Sequence, residues 1–455
     1  MASASALARM LRAGLIRRGA LAPAPASPAE TPTTAPVARP PGRVSEPPIE
    51  ELIEGRWETL GEQRCFVTDQ IYPWEHRYGA APLGSIREIP DEHWQPFVGP
   101  DSDLPFAFSR AALLDIETTG LERGAGTWAF LAGVGLPQGA GLRVLQYFMP
   151  DYGDEEALLS LLAADLEASE GLVTFNGRTF DWPIVRNRYI MARRPAPAVG
   201  DGPHLDLLPL SRRLWRRRLE SCALSSLERS VLGMQRAGED VPGYLIPQLY
   251  QDYVELGRTR PMVGVFYHNA MDIVAMAALA GRIGRLLTDP THAEASTCCD
   301  YLSLGRLYER TDRQAEALDA YAAAEDAVAD AGEALLVCDS RARLLRRLGR
   351  WDEAGRVWQT QLGGDSVQPY IELAKLYEHR YTDYASARRL VTEALDLLER
   401  RAGRMAPAET APLRSALEHR LQRLERRLSN QQRAARRAGP GAADDADSEC
   451  AGSVR

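Results

Sequence analysis

Two acidic residues at the end of an apolar run are the first candidates for chemistry. The segment AALLDIETTGL, residues 111–121, has the pattern of a buried strand that carries Asp115 and Glu117. Residues two apart on a strand point to the same face of a sheet. Two carboxylates on one face repel each other and are costly to bury unless a cation lies between them. The pair therefore predicts a cation site at the end of this strand.

A third acid follows in the segment TFNGRTFDWPIV, residues 174–185. Asn176 and Asp181 flank a turn between a predicted strand and a predicted helix, and Pro183 fits the first helical turn. Asp181 would then stand at the helix start, close to a strand end, and face the first acid pair. The alternative is an aspartate that only caps its helix. The occurrence of Asn-Gly and Trp-Pro together with Asp181 in one short segment favours a role for this aspartate in the cation site.

The fourth acid lies in VFYHNAMDIVAM, residues 265–276. His268 and Asp272 are four positions apart at a helix predicted over 269–287, so they share a face. A histidine titrates near neutral pH and can orient or deprotonate a water. Tyr267 is the other candidate for this role, but it lies further round the helix from Asp272. The alternative for the pair is a capping histidine with a surface aspartate.

Together the four carboxylates suit hard divalent cations. Mg²⁺ and Mn²⁺ prefer oxygen ligands. Two such ions ~4 Å apart can activate a water and stabilise the leaving oxygen in phosphodiester hydrolysis. The sequence therefore predicts a two-metal site with His268 beside it. Its predicted ligands are Asp115, Glu117, Asp181 and Asp272.

An arginine-rich stretch between the second and third segments is a candidate nucleic-acid contact. Its residues could follow phosphates while the indole stacks a base. The alternative is a solvated helix face with the tryptophan buried. Asp206, just before this stretch, is either an accessory acid or, more simply, a solvated acid at a strand edge. The candidate contacts are Arg212, Arg213, Trp215 and Arg216.

A mixed α/β domain must position these segments. Three hairpin-like strands, a helix, a further strand and more helices are the order of an RNase H-like domain, predicted over 101–290. Residues 46–100 are predicted to be an extension packed on that domain. The predicted elements are strands at 111–116, 128–135 and 143–148, a helix at 155–169 and a strand at 171–175.

The following part of the sequence is predicted to be helical and repetitive. Between 297 and 432, small residues recur where the paired helices of tetratricopeptide repeats touch, as at Ala317, Ala354 and Ala387. These alanines are 37 and 33 residues apart, which brackets the 34-residue period. Such repeats form extended concave surfaces that bind partners. We therefore expect an all-α repeat domain after the α/β domain.

Composition sets limits on partners and compartment. A chain of 455 residues is expected to form two or three domains. The formal net charge of −8 argues against general coating of nucleic acid but allows a local basic groove. Six cysteines without metal-ligand spacing favour a reducing cytoplasm, and no apolar run is expected to reach the length of a membrane span. Residues 1–45 and 433–455 are predicted to be disordered.

The order of these segments resembles a known family. DIETTGL, TFNGRTFDWP and VFYHNAMDI resemble the motifs of DEDD exonucleases. With HLDLLPLSRRLWRRRLESCALSSLE between them, residues 47–287 resemble the YprB-like family of bacterial RNase H-like proteins. That resemblance implies a 3′→5′ exonuclease fold with two divalent metals, often followed by tetratricopeptide repeats. It also implies that Thr118 and Thr119 contact the terminal nucleotide, with Asn176 beside them; simple turn chemistry is their alternative.

The spacing at the third motif departs from the family. In the His-type subclass the histidine lies five positions before the last aspartate, and in the Tyr-type subclass a tyrosine lies four before. Here His268 is four before Asp272 and Tyr267 is five before, so the subclass stays open. The hypothesis is an exonuclease for single-stranded ends, DNA favoured, in DNA repair, with a helicase as the expected repeat partner. Alternatives are a non-catalytic scaffold that binds through its repeats and an RNase H-type endonuclease.

Overall fold

The structure, a computed structural model, describes residues 45–99, 104–120, 126–236, 238, 240–289, 297–401 and 407–437. The predicted disordered N-terminal segment lies outside these residues up to 44, and the C-terminal one from 438 onward. Residues 433–437 are helical instead, so the predicted boundary is wrong there. Arg and Ala are strong helix formers, and no helix breaker occurs before Gly439.

The candidate residues are carried by a seven-stranded mixed sheet. Its described strands are β1 (Arg56–Leu60), β2 (Gln63–Pro73), β5 (Ala111–Thr118), β6 (Ala129–Gln138), β7 (Gly141–Phe148), β8 (Gly171–Thr174) and β9 (His204–Asp206), while β3 (Arg77–Tyr78) and β4 (Ala81–Pro82) pair separately. The strand order is β1-β2-β7-β6-β5-β8-β9. The pairs from β1 to β5 are antiparallel, and β8 and β9 run parallel to β5. β5 therefore lies at the change from antiparallel to parallel pairing.

The N-terminal strands belong to this sheet. β2 pairs with β7 from Phe66 opposite Phe148 to Pro73 opposite Gly141. Residues 46–100 were predicted to be an extension packed on the domain, and residues 56–73 go further, since they pair into its sheet. The paired residues lie 68 to 82 positions apart in the chain, and no local sequence pattern encodes that pairing.

Helices cover the two faces of the sheet. They are α1 (Ile49–Leu52), α2 (Glu155–Glu167), α3 (Asp181–Met191), α4 (Leu207–Trp215), α5 (Leu224–Leu227), α6 (Ile246–Leu256) and α7 (Arg260–Thr288). Short 3-10 turns occupy Leu83–Glu88, Asp91–His93, Gln95–Phe97, Phe108–Arg110, Tyr152–Asp154, Ala198–Asp201 and Gly243–Leu245, and a π-helical turn spans Glu228–Leu232. Buried side chains form one core cluster on each face.

The helix α7 is central to the fold and carries the third motif. It begins at Arg260 rather than at the predicted 269, and it contacts β5, β6, β7 and the turn at Leu83–Glu88. By length and composition it could cross a membrane, although 78% of its most apolar stretch is buried inside the molecule. The expectation that no apolar run reaches the length of a membrane span is wrong. A core helix that is buried on most sides is apolar all round and has the same length and composition.

The C-terminal part of the described chain is a stack of helices. They are α8 (Cys298–Arg310), α9 (Gln314–Asp326), α10 (Ala331–Arg347), α11 (Trp351–Gln359), α12 (Gln368–His379), α13 (Tyr384–Arg401) and α14 (Pro407–Arg437). Consecutive helices pack as pairs, and a side chain at Gly305 would collide with Tyr321, 2.5 Å from its ring carbon Cε1. The assignment of these pairs to the tetratricopeptide class remains a prediction.

Candidate active site

Three of the four predicted acids meet where β5 ends. Asp115 and Glu117 are the partly accessible positions in a strand whose other members are buried, so both lie on one face. Asp181 is the first residue of α3 and is 5% exposed. Its Oδ1 accepts a hydrogen bond from the backbone N–H of Ile116 at 3.2 Å. This bond holds the third carboxylate against the strand segment between the first two.

A buried polar chain fixes the position of Asp115. Asn269 of α7 donates through Nδ2 to Asp115 Oδ2 at 2.8 Å and to its carbonyl oxygen at 3.2 Å. Gln146 of β7 in turn donates to Asn269 Oδ1 at 2.9 Å and accepts from the Thr68 hydroxyl at 2.9 Å. A side chain at Gly133 would come within 2.3 Å of Asn269 Oδ1, so this glycine admits the amide. The chain couples β2, β7, α7 and β5.

The fourth acid and the histidine face a cavity. His268 Nε2 lies 3.8 Å from Asp272 Oδ2, and both residues line a cavity of about 420 Å³. His268 Nδ1 lies 2.7 Å from Asp240 Oδ1. A carboxylate that accepts the Nδ1 proton leaves Nε2 free to take a proton on the side of Asp272. Tyr267 instead lines a different cavity together with Tyr72.

One arginine pairs with the fourth acid. Arg236 contacts Asp272 through Nη2, which also lies 2.8 Å from Glu228 Oε1. Its Nη1 donates to the carbonyl oxygen of His268 at 3.4 Å and lies 3.6 Å from Asp240 Oδ2. Glu228 is 2% exposed and also accepts a hydrogen bond from the Tyr78 hydroxyl. The guanidinium therefore supplies positive charge where a bound cation would also act.

The acids on the sheet side have strongly raised pKa values. Burial raises the pKa of Asp115 well above its usual range, and the charges of Asp272 and Glu117 raise it further. Burial also raises the pKa of Glu117, with Asp272 and Asp181 adding to the effect and Arg236 opposing it. Burial raises the pKa of Asp181 to about 7, against the hydrogen bond from Ile116. These mutual effects show that the four carboxylates share one electrostatic environment.

This donor set fits a hard cation in its chemistry. All four groups are carboxylates, they repel one another, and their negative charge is only partly offset by Arg236. Within the described residues, no three His, Cys, Asp or Glu side chains already surround one point at ligand distance. Binding would therefore require Asp272 to exchange Arg236 for the ion, and any protonated ligand carboxyl to release its proton.

The predicted nucleotide contacts near β5 have structural partners. The Thr118 hydroxyl donates to the carbonyl oxygen of Gly120 at 2.7 Å, and Thr119 Oγ1 accepts from the Trp128 N–H at 3.0 Å. Asn176 adopts a positive φ of 69°, and its N–H donates to Asp206 Oδ1 at 2.8 Å. The predicted roles of Thr118, Thr119 and Asn176 in nucleotide binding remain predictions.

Asp206 is neither solvated nor placed as a further ligand. It is 8% exposed, and its carboxylate accepts from the backbone N–H groups of Asn176, Arg178 and Leu208. The expectation of a solvated strand-edge acid is wrong, because this acid joins the Asn176 turn to the start of α4. Its charge also contributes to the raised pKa of Asp181, after burial.

The arginine-rich stretch separates into exposed and buried residues. Arg212, Arg213 and Arg216 are exposed, whereas Trp215 is 2% exposed and belongs to the core cluster that includes α7. The prediction that Trp215 stacks a base is wrong, because α4 uses its apolar face, including the indole, to pack on the domain. The arginines remain candidates for phosphate contacts.

Comparison with known proteins agrees with this fold. Residues 112–283, from β5 to α7, match the model of the RNase_H superfamily. The chain contains an RNase H-like domain. Over 359 residues it is 28% identical to the "Uncharacterized protein YprB" of Bacillus subtilis (strain 168), an alignment that covers 74% of this chain and 84% of the relative.

Sequence reasoning missed several groups in the RNase H-like domain. Arg236 and Asp240 lie on an irregular segment without a motif, and only the fold brings them to α7. Glu228 was likewise unmarked, since its partners Tyr78 and Arg236 come from distant segments. Asn269 stands next to His268 in the third motif, and this polar residue in a largely apolar stretch was the available signal.

Proposed function

We propose that the RNase H-like domain is a divalent-metal-dependent nuclease that removes nucleotides from the 3′ end of single-stranded nucleic acid, with DNA favoured. The observation that carries the proposal is the convergence of four carboxylates, of which Asp115, Glu117 and Asp181 have pKa values raised by burial and by neighbouring negative charges. Clusters with such perturbed pKa values are typical of functional sites. The four oxygen donors suit two Mg²⁺ or Mn²⁺ ions.

The proposed roles follow from the contacts of each residue. Asp115, Glu117, Asp181 and Asp272 would hold the ions, which supply an activated water and offset the charge on the cleaved phosphate. Asn269 holds the carboxylate of Asp115 in place. His268 Nε2 accepts the proton of the attacking water, because Nδ1 is engaged by Asp240. Tyr267, which lines another cavity, takes no part in the reaction.

The preference for a 3′ end is supported by the resemblance to DEDD exonucleases and by the His268–Asp272 pair on one helix face. Single strands are favoured since one nucleotide must be separated from its neighbours to reach acids at a strand end. A cytoplasmic setting is supported by the described cysteines, all of which are free thiols. A role in DNA repair is an expectation of the exonuclease class.

An end-labelled digestion tests the proposal. The full-length chain is incubated with Mg²⁺ or Mn²⁺ and with single- and double-stranded DNA and RNA carrying a 5′ label. We expect stepwise shortening from the 3′ end of single-stranded DNA, abolished in Asp115→Ala and Asp272→Ala. The matched control is Asp396→Ala, whose carboxylate lies on α13 in the helical stack.

Internal cleavage of a circular single strand would instead identify an endonuclease. Equal digestion by the parent, Asp115→Ala and Asp272→Ala would show that the assigned acids do not act. A label released from the 5′ end with the same dependence on the acids would reverse the proposed polarity.

A second candidate is a non-catalytic binding scaffold, and one contact favours it. Arg236 already pairs with Asp272, and a cationic side chain in this position could take the place of a metal ion. This candidate predicts no digestion with any divalent ion, together with binding of nucleic acid that is unchanged by EDTA. A helicase as partner of the helical stack is a separate prediction, tested by pull-down with the full-length chain; a pull-down that recovers no helicase would count against it.

A further inference from the structure

A cavity rich in arginine lies between the RNase H-like domain and the first helix of the stack. Helix α4 forms one wall and α8 forms the other, and the space between them is about 460 Å³. Apart from Ser303 and Leu307, every residue that lines it is an arginine. The six are Arg212, Arg213, Arg216, Arg217, Arg306 and Arg310.

These six guanidinium groups lack acidic partners. None of them forms an ion pair with an acid in the described part of the chain, whereas the neighbouring Arg218 pairs with Asp300 at 3.0 Å. Burial lowers the pKa of Arg213, with the charge of Arg310 adding to the effect. Burial lowers the pKa of Arg306 too, with Arg217 contributing. Positive charge is thus gathered across the two helices without an ion pair among the described residues, although the charges of Glu309 and Asp339 act on Arg306.

A buried hydroxyl provides an independent sign of a ligand. Ser303 lines the cavity from α8 and is 3% exposed, and its Oγ has no hydrogen-bond partner among the described residues. An unpaired buried hydroxyl is costly unless a ligand or a water completes it. Arg306, one turn later, donates to Ser340 Oγ at 3.2 Å and is held at the cavity wall. The wall therefore offers a neutral hydroxyl among the guanidinium groups.

We propose that this cavity binds successive phosphate groups of a single nucleic-acid strand. Arginine grips phosphate oxygens with paired N–H groups, and several arginines in a row match a chain of phosphates. Trp215 is buried, so the site has no exposed aromatic ring for a base and reads the backbone without sequence preference. The first helix of the stack is then part of the nucleic-acid surface.

The position of α4 links this cavity to the candidate active site. The helix begins after Asp206, which holds the Asn176 turn, and it reaches Arg216 about 15 Å further along its axis. A strand whose end lies at the acids can continue along α4 into the cavity. The choice of a strand over a free polyphosphate, which presents the same oxyanions, rests on the proposed nuclease function.

Binding measured without catalysis tests the inference. The full-length chain is titrated into a labelled single-stranded oligonucleotide in EDTA, and fluorescence anisotropy is recorded over a range of salt concentrations. The double variant Arg306→Ala/Arg310→Ala should bind at least about tenfold more weakly. For a single strand, each phosphate contact contributes ~0.7 to the steepness with which log K decreases against log salt. Loss of two contacts should therefore make this slope shallower by ~1.4.

Two further variants keep the result interpretable. Arg388→Ala/Arg389→Ala removes two exposed arginines from α13 and should change neither the affinity nor the slope. Ser303→Ala removes only the unpaired hydroxyl and should weaken binding while the melting temperature stays at or above that of the parent. If Arg306→Ala/Arg310→Ala binds the oligonucleotide like the parent at equal melting temperature, the inference is wrong.

Tripolyphosphate and digestion separate the remaining outcomes. In one outcome, the parent binds tripolyphosphate tightly, and Arg306→Ala/Arg310→Ala loses this binding but keeps the affinity for the oligonucleotide. The cavity would then bind a free polyphosphate, and the proposal of a nucleic-acid strand would be wrong. Arginine-dependent oligonucleotide binding without any digestion would support the cavity while the nuclease proposal fails. If the parent digests the oligonucleotide and Arg306→Ala/Arg310→Ala binds it as tightly as the parent does, the nuclease proposal is kept and the proposed strand-binding cavity is wrong.

Discussion

Buried carboxylates occur in two parts of this molecule, with opposite surroundings. In the helical stack, Glu378 of α12 is 1% exposed and is held by three arginines of α14. Arg423 donates to it at 2.9 and 3.0 Å, Arg420 donates at 2.6 Å, and Arg427 lies 3.5 Å away. Burial alone would raise the pKa of Glu378, but the bond from Arg423 and the nearby positive charges hold it below its usual range.

In the RNase H-like domain the balance is reversed. Asp115, Glu117 and Asp181 have raised pKa values, and among the described residues Arg236 is the cation that pairs with an acid of the cluster. A buried acid with matched arginines stabilises the packing of two helices. Buried acids without that match destabilise the fold unless a cation arrives from outside, which is the arrangement expected of a binding or catalytic site.

The largest expected effect is on the rate of digestion by Asp181→Asn. The amide keeps the shape of the side chain but cannot offer the same negative charge to an ion, so we expect a loss of about 10³-fold. Glu378→Gln should digest within about twofold of the parent at a temperature where both are folded. Comparable rate losses in both variants would erase the distinction between the two acid sites.

The largest effect on stability is expected at Glu378. Glu378→Gln removes the negative charge that compensates three arginines and should lower the free energy of unfolding by about 3 kcal/mol, measured by urea denaturation. Its matched control is Glu393→Gln, an exposed acid of α13 that lies 3.8 Å from Arg389 and should change stability by less than about 0.5 kcal/mol. Equal, small effects would show that the buried cluster does not hold α14 to the stack.

A smaller rate effect is expected at His268. His268→Ala removes the group that receives the water proton, so digestion should slow by about 10²-fold. Tyr267→Phe should leave the rate within about twofold, because Tyr267 lines another cavity. The two variants are compared by single-turnover digestion at saturating metal. A larger loss in Tyr267→Phe would assign the water to the tyrosine.

The two sites should also respond to pH in opposite directions. The stabilisation due to Glu378 is the difference in free energy of unfolding between the parent and Glu378→Gln. It should be complete above pH about 4.5, the usual pKa, and should be lost as the pH decreases through the lowered pKa of the folded state. Asp181 has a pKa raised from 3.8 to about 7. Its stabilisation relative to Asp181→Asn should be complete below about 3.8 and decline as pH rises to about 7.

Melting curves in EDTA between about pH 3 and pH 8 check both directions. Saturating Mn²⁺ should reverse the decline at Asp181, because metal binding displaces its proton. If the difference in melting temperature changes with pH in the same direction for Glu378→Gln and for Asp181→Asn, the proposed contrast between the two acid sites is wrong.

The sequence predicted much of the fold, for identifiable reasons. β5, β6 and β7 were expected because they are apolar runs between turn residues, and each proved slightly longer at one or both ends. β2 could not be placed, since its partner β7 is remote in sequence. The first nine residues of α7, 260–268, were missed because the burial of this helix is set by packing against three strands and a turn.

The candidate site was predicted unevenly for the same reason. Asp115, Glu117 and Asp181 lie in short segments whose local patterns already place them at a strand end or a helix start. Arg236 and Asp240 could not be found, because they lie outside the described helices and strands and only the fold brings them to Asp272 and His268. Trp215 was misassigned since exposure on a short helix depends on which face packs.

The most direct test of the central claim is a count of bound metal ions. Mn²⁺ binding to the full-length chain is measured by isothermal titration calorimetry in two buffers of different ionisation enthalpy, so that released protons are counted too. We predict two ions per chain with net proton release near pH 7, and loss of binding with loss of proton release in Asp115→Asn and Asp181→Asn. Absence of millimolar binding, or binding that survives both substitutions, would contradict the account.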